Sequence, residues 1–189
     1  MTQGKIVTVF GSSRPVAGDP EYQQAYDVGR LLAVEGIVVC TGGYDGVMEA
    51  AARGAKEASG AETLSGQQTI GIVARSFAGR SPNKWIDRVI TVDSMIDRLL
   101  KLLSLGDAYV VLRGGTGTLL ELAAVWELMN KKAMQEKPVI IVGSSWDPVI
   151  TTVSDELRRE GNRGAPNLIK IVATPPECVD DLRERFSDR

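Results

Sequence analysis

Glu121 is the residue around which chemistry could be arranged. It closes the run Gly114-Gly115-Thr116-Gly117-Thr118-Leu119-Leu120-Glu121, which follows the apolar stretch Val110-Val111-Leu112 and Arg113. Small residues let backbone N–H groups come close to a ligand, and a helix N-terminus favours an anion. The run therefore reads as a buried strand, then a phosphate-holding turn over Gly114, Gly115, Thr116, Gly117 and Thr118, then a helix with Glu121 in its first turn. A carboxylate placed there lies about one sugar's reach from the phosphate. It could hold ribose hydroxyls, support positive charge on an opening ribose ring, or activate water. Those are the tasks of N-glycosidic cleavage, whose transition state resembles an oxocarbenium ion. Carboxylate and phosphate repel, and a nearby arginine would offset the repulsion; Arg98 is the candidate. A plainer reading stands beside this one. Thr118-x-x-Glu121 also fits a capping box, in which Glu121 only satisfies the Thr118 amide. Arg98 and Lys101, three apart, also fit a solvated basic stripe on a helix.

Two further turns have the same character. Gly11-Ser12-Ser13-Arg14 follows the apolar run Ile6–Phe10, and Gly42-Gly43 with Gly46 follows Ile37–Cys40. In a doubly wound sheet, ligands bind outside the carboxyl ends of the strands. Gly11, Ser12, Ser13, Gly42 and Gly43 therefore join the Gly114–Thr118 turn as expected phosphate or nucleotide contacts on one rim.

The chain contains no histidine. That removes Ser–His and Cys–His nucleophile pairs, HExxH zinc sites and an imidazole base. No metal site and no cofactor are expected. Acid–base work would rest on carboxylates, Lys, Tyr, Cys or water. The net charge is −2, without a Lys/Arg-rich block, which argues against nucleic acid as a partner. A free nucleotide is the expected ligand. Cys40 and Cys178 form no metal-type cluster and suggest a reducing compartment. No signal-peptide core and no membrane-length apolar run is read, so a cytoplasmic protein without a membrane partner is expected.

The elements that must position these residues follow from periodicity. Ile6–Phe10, Ile37–Cys40, Thr69–Ala74, Ile86–Val92, Val110–Leu112, Val139–Val142 and Leu168–Val172 read as strands. Helices are predicted from Pro20 to Val34, Val47 to about Ala58, Ser94 to Leu103, past Gly115 to about Met134, Trp146 to Glu160, and from Pro175. The last is expected to end in a frayed charged tail over 180–189. Residues 60–68 and 75–84 read as loops, with Arg75 and Arg80 solvated. Trp126 and Leu128 suit either the core or a dimer interface. Strands alternating with helices give an α/β fold: a single domain over 1–189, doubly wound, its sheet mostly parallel with helices on both faces.

Gly114–Glu121 resembles the GGxGTxxE signature of the LOG (Lonely Guy) family, also labelled "possible lysine decarboxylase". Phe10-Gly11-Ser12-Ser13, Gly42-Gly43 with Gly46 and Met48, and Met95-Ile96-Asp97-Arg98 are similar to its other blocks, in the same order. The resemblance implies a Rossmann-like fold, usually a homodimer, and phosphoribohydrolase activity on nucleoside 5′-monophosphates. Cytokinin ribotides or AMP would yield free base and ribose 5-phosphate. It implies that Arg98 and Glu121 are catalytic and that Gly114–Thr118 takes the phosphate. The chain departs from the pattern where Arg113 replaces a proline, Ile96 a histidine and Leu99 a lysine. Related branches include nucleotide sensors and molybdenum-cofactor carriers, the alternative reading.

Overall fold

A computed structural model describes residues 2, 4–59, 68–77 and 79–187. Seven strands form one sheet: β1 (Ile6–Phe10), β2 (Val38–Thr41), β3 (Thr69–Ala74), β4 (Arg88–Val92), β5 (Ala108–Val111), β6 (Val139–Val142) and β7 (Ile169–Val172). Their order is β4-β3-β2-β1-β5-β6-β7, and every pairing is parallel. The order reverses between β1 and β5, which opens a crevice at their carboxyl ends. The expected Rossmann-like sheet is the one observed.

Six helices cover it: α1 (Pro20–Val34), α2 (Val47–Ser59), α3 (Met95–Leu105), α4 (Thr116–Asn130), α5 (Asp147–Arg159) and α6 (Pro175–Ser187). Alternate strand residues feed two cores. Val7, Val9, Val39 and Val110 meet α1, α2 and α6, while Phe10, Cys40, Tyr109 and Val111 meet α3, α4 and α5. The five inner strands are covered on both faces, the physical reason their runs are largely apolar, while the edge strands β4 and β7 are partly exposed. Among the described residues, no helix is long and apolar enough to cross a membrane.

Three expectations change. The 180–189 tail is not frayed over 180–187: α6 runs to Ser187, Leu182 and Phe186 are buried, and Asp181 accepts from Lys170 and Arg185. Residues 188–189 lie outside the described residues, as does the loop over 60–67. α4 stops at Asn130 rather than Met134. Lys132 adopts a positive φ of 56°, and the amides of Lys132 and Ala133 donate to the carbonyls of Met129 and Leu128. This is a Schellman closure with lysine where glycine is usual. Trp126 belongs to the core, its Nε1 donating to the Ala165 carbonyl at 2.8 Å.

Candidate active site

The carboxyl ends of β1 and β5 are tied together before any ligand arrives. The Leu112 amide donates to Phe10, the Ser12 amide to Arg113, and the Val47 amide to Ser12. Beside this seam lies a cavity of about 260 Å³, lined by the Gly11–Arg14 loop, Gly115–Thr118, Glu121 and Arg98, with Tyr44, Met48, Phe77 and Arg80 opposite.

The start of α4 forms one wall. Gly115 is its N-cap, and no side chain caps the helix. The first intrahelical bond runs from the Leu119 amide to the Gly115 carbonyl. The amides of Thr116, Gly117 and Thr118 therefore have no acceptor within the helix, and they carry the positive end of its dipole. Gly114 makes this possible at close range: a Cβ there would lie 2.1 Å from Thr118 Oγ1, so the glycine leaves room for the buried threonine.

The capping-box reading is overturned. It requires the helix to begin after Thr118, but Thr118 is already its third residue. Glu121 consequently sits on the second turn, not the first, and faces the cavity. Its Oε1 lies 3.8 Å from Arg98 Nη1, and both side chains are largely buried. At that distance the groups attract without sharing a direct hydrogen bond. Burial pushes the Glu121 carboxyl up to about 7, with Arg98 pulling the other way.

Arg98 is no solvated stripe residue. Its Nε donates to the Ile72 carbonyl at 2.8 Å and its Nη2 lies 3.6 Å from Met48 Sδ. The guanidinium stands over the rings of Tyr44 and Phe77, 5.5 and 5.9 Å from their centroids. Burial pushes it down from its ordinary value, yet a guanidinium starts so high that it stays charged. The helix that delivers it is fixed by a Ser94–Asp97 capping box.

Gly42 and Gly43 do not line the cavity. A Cβ on Gly42 would lie 1.4 Å from Arg98 Nη2, so this glycine houses the guanidinium. Gly43 packs against Gly71, and its carbonyl accepts from Asn83. The structure thus brings together Gly11, Ser12, Ser13, Gly115, Thr116, Gly117, Thr118, Arg98 and Glu121. Gly42 and Gly114 act from behind. The Ser12 amide is committed to Arg113, leaving its hydroxyl at the cavity.

Sequence reasoning missed Tyr44 and Phe77 and placed Arg80 in solvent. Arg80 is exposed, but its guanidinium lies 5.8 Å from the Tyr44 ring and lines the cavity. No local spacing links these residues; aromatic residues near glycine turns were the one available signal. The lining holds Arg14, Arg80 and Arg98 against one carboxylate, Glu121, a balance that suits an anion. Burial pushes the Cys40 and Cys178 thiols up to about 12, so neither supplies a thiolate.

Comparison with known proteins follows the same lines. The chain is 27% identical over 139 residues to a pyrimidine/purine nucleotide 5′-monophosphate nucleosidase of Escherichia coli. That alignment covers 72% of this chain and 31% of the relative. It is 28% identical over 126 residues to a probable cytokinin riboside 5′-monophosphate phosphoribohydrolase, LOGL2, of Oryza sativa subsp. japonica, covering 63% of this chain and 50% of that one. The chain thus spans a third to a half of the length of these curated relatives. Among solved structures, the molybdenum cofactor binding protein from Rippkaea orientalis matches with a TM-score of 0.73 and 27% identity, over 98% of this chain and 99% of the other. The resemblance to the LOG family is borne out by these relatives. A family model matches residues 4–167, and the chain belongs to the SLOG cluster4 family.

Proposed function

We propose that the protein is a nucleoside 5′-monophosphate phosphoribohydrolase. It hydrolyses the N-glycosidic bond of a purine ribotide, AMP or a cytokinin type, to free base and ribose 5-phosphate. The observation that carries this reading is Glu121: a buried carboxylate titrating near neutrality, 3.8 Å from Arg98, in the same cavity as the free amides of α4. The phosphate sits on those amides with Gly114–Thr118 around it, and the Gly11–Ser13 loop closes the other side.

The roles follow from the chemistry. The C1′–N bond breaks and its electron pair leaves with the base. Positive charge develops on the ribose ring, where ionised Glu121 stabilises it. The water oxygen bonds to C1′ and one of its protons passes to Glu121, while the base nitrogen takes a proton from solvent water and Glu121 then returns its proton to solvent. Arg98 stays protonated throughout, so it is a fixed cation rather than a proton donor. It balances Glu121 beside an anionic substrate. Tyr44 and Phe77 offer the apolar wall for the base.

We further propose a homodimer in the cytoplasm. Met95, Ile96 and Leu100 on α3, and Leu119 and Leu120 on α4, are exposed apolar residues that a second copy would cover. The second reading, a non-catalytic nucleotide or molybdenum-cofactor carrier, is favoured by the full-length likeness to the Rippkaea orientalis protein. Incubation of pure protein with AMP and its N6-prenylated form, with chromatography of the products, separates the two. Equimolar base and ribose 5-phosphate support hydrolysis. Binding without release of base supports the carrier.

A further inference from the structure

The end of the cavity away from the α4 amides is built by Tyr44, Met48, Phe77 and Arg80. The segments that line the cavity follow β3, β2, β1 and β5, which lie side by side in that order. From Phe77 and Arg80 after β3 to the Gly115–Thr118 turn after β5 is therefore three strand spacings, about 14 Å. That span suits a mononucleotide laid along the rim, its phosphate on α4 and its base at the far end. Arg98 joins the two ends, 3.8 Å from Glu121 and 5.5 and 5.9 Å from the Tyr44 and Phe77 ring centroids. We infer that Arg80 selects the base: its guanidinium takes the N7 and O6 edge of a 6-oxopurine, so IMP and GMP are better substrates than AMP. This rests on the nucleotide reading above and orders its purine substrates.

The other polar groups at that end are already committed. The Tyr44 hydroxyl donates to the Ala74 carbonyl at 3.4 Å and accepts from the Ala74 amide at 3.1 Å. Asn83 donates its side-chain amide to the carbonyls of Gly43 and Tyr44, and its Oδ1 accepts from the Trp85 amide. Arg98 is held by the Ile72 carbonyl and Met48 Sδ. Phe77 has no polar side-chain group. Among the described residues the Arg80 side chain has no hydrogen-bond or ion-pair partner. Its guanidinium stands 5.8 Å from the Tyr44 centroid, in the cavity wall. The Arg80 amide donates to the Phe77 carbonyl at 3.2 Å, so one short segment presents the ring and the cation together.

A guanidinium donates five N–H groups and accepts none. The base edge that meets it must therefore supply acceptors. A 6-oxopurine supplies two side by side, N7 and O6, matched to the guanidinium fork. Adenine offers N7 beside an amino group that is itself a donor, and that amino group would meet Arg80 donor to donor. AMP keeps one of the two bonds, so it is turned over less well rather than refused.

Initial rates with AMP, IMP and GMP, and calorimetric titration with the same three, test this on the intact protein alongside Arg80→Ala and Arg80→Lys. In the parent, kcat/KM for IMP and GMP should exceed that for AMP by at least about tenfold. Arg80→Ala should bring the three within about twofold of one another. Arg80→Lys keeps the charge without the fork and should lose the preference as well. Arg80 is exposed, so neither replacement disturbs the fold. A parent that favours AMP or treats the three alike overturns the role of Arg80 and leaves the nucleotide reading standing, as does a preference that survives either replacement. Tighter binding of IMP and GMP than of AMP without release of base supports the role of Arg80 and overturns hydrolysis. Failure of all three nucleotides to bind overturns both.

Discussion

Glu121→Gln removes one ionisable group and keeps nearly the same shape. Burial lifts the Glu121 carboxyl from 4.5 to about 7 against the pull of Arg98. In the unfolded chain it titrates near its ordinary value. Between those values the folded protein holds a proton that the unfolded chain has released. Stability therefore falls as pH rises through this window, and the loss is complete above about pH 7. The rise from 4.5 to about 7 corresponds to about 3 kcal/mol. The glutamine variant has no such proton to lose, so its stability relative to the parent should rise by about 3 kcal/mol between roughly pH 4 and pH 8. Urea unfolding of both proteins at the two ends of the window measures the difference. Parallel pH profiles would refute the reasoning, since they would show Glu121 titrating as an ordinary solvated carboxylate. The same variant should stay folded and lose about 10²–10⁴-fold in turnover. An active variant removes Glu121 from the chemistry.

Under the proposed mechanism, in which only ionised Glu121 accepts the proton of water, turnover by the parent should climb with pH and level off above about 7. Initial rates at saturating AMP across the neutral range check this, and a falling profile contradicts it. Gly42→Ala puts a methyl group where Arg98 Nη2 sits, and should cost about 1–3 kcal/mol in thermal unfolding together with most of the activity. Near-parental stability and rate would mean that the guanidinium relocates freely. Lys132→Gly relieves the positive φ and should stabilise the protein by about 0.5–1 kcal/mol, read as a melting temperature raised by a few degrees. An unchanged or lower melting temperature would show that the lysine pays no strain there.

The inner strands were legible because a strand covered on both faces is a nearly unbroken apolar run, as in Val139–Val142, whereas the edge strands β4 and β7 carry Arg88 and Lys170. The helix starts were legible where a cap is local: Pro20 opens α1 and Ser94 pairs with Asp97 to open α3. The end of α4 was not, because Lys132 takes a glycine's conformation without being glycine. At the site, the Gly115–Glu121 wall could be read from one continuous stretch. The register of Glu121 could not, since Thr118 has the chemistry of a cap but lies inside the helix. Gly42 looked like a ligand contact because a glycine that clears space for a ligand and one that clears space for a side chain 56 residues later are identical in sequence. Arg80 looked solvated because its neighbour Tyr44 comes from another strand end.

Arg98 meets its surroundings on every side: Gly42 behind, the Ile72 carbonyl at Nε, and Tyr44 and Phe77 across its face. A free arginine side chain carries about 2 kcal/mol of rotamer entropy. Here that entropy is surrendered when the chain folds, not when a ligand arrives. A ligand entering the cavity would meet a positive charge that is already immobile, and none of its binding free energy would go into ordering it. The glycine turn after β2, whose Gly42 and Gly43 lie outside the cavity lining, would therefore act on affinity through the conformational freedom it has already taken away.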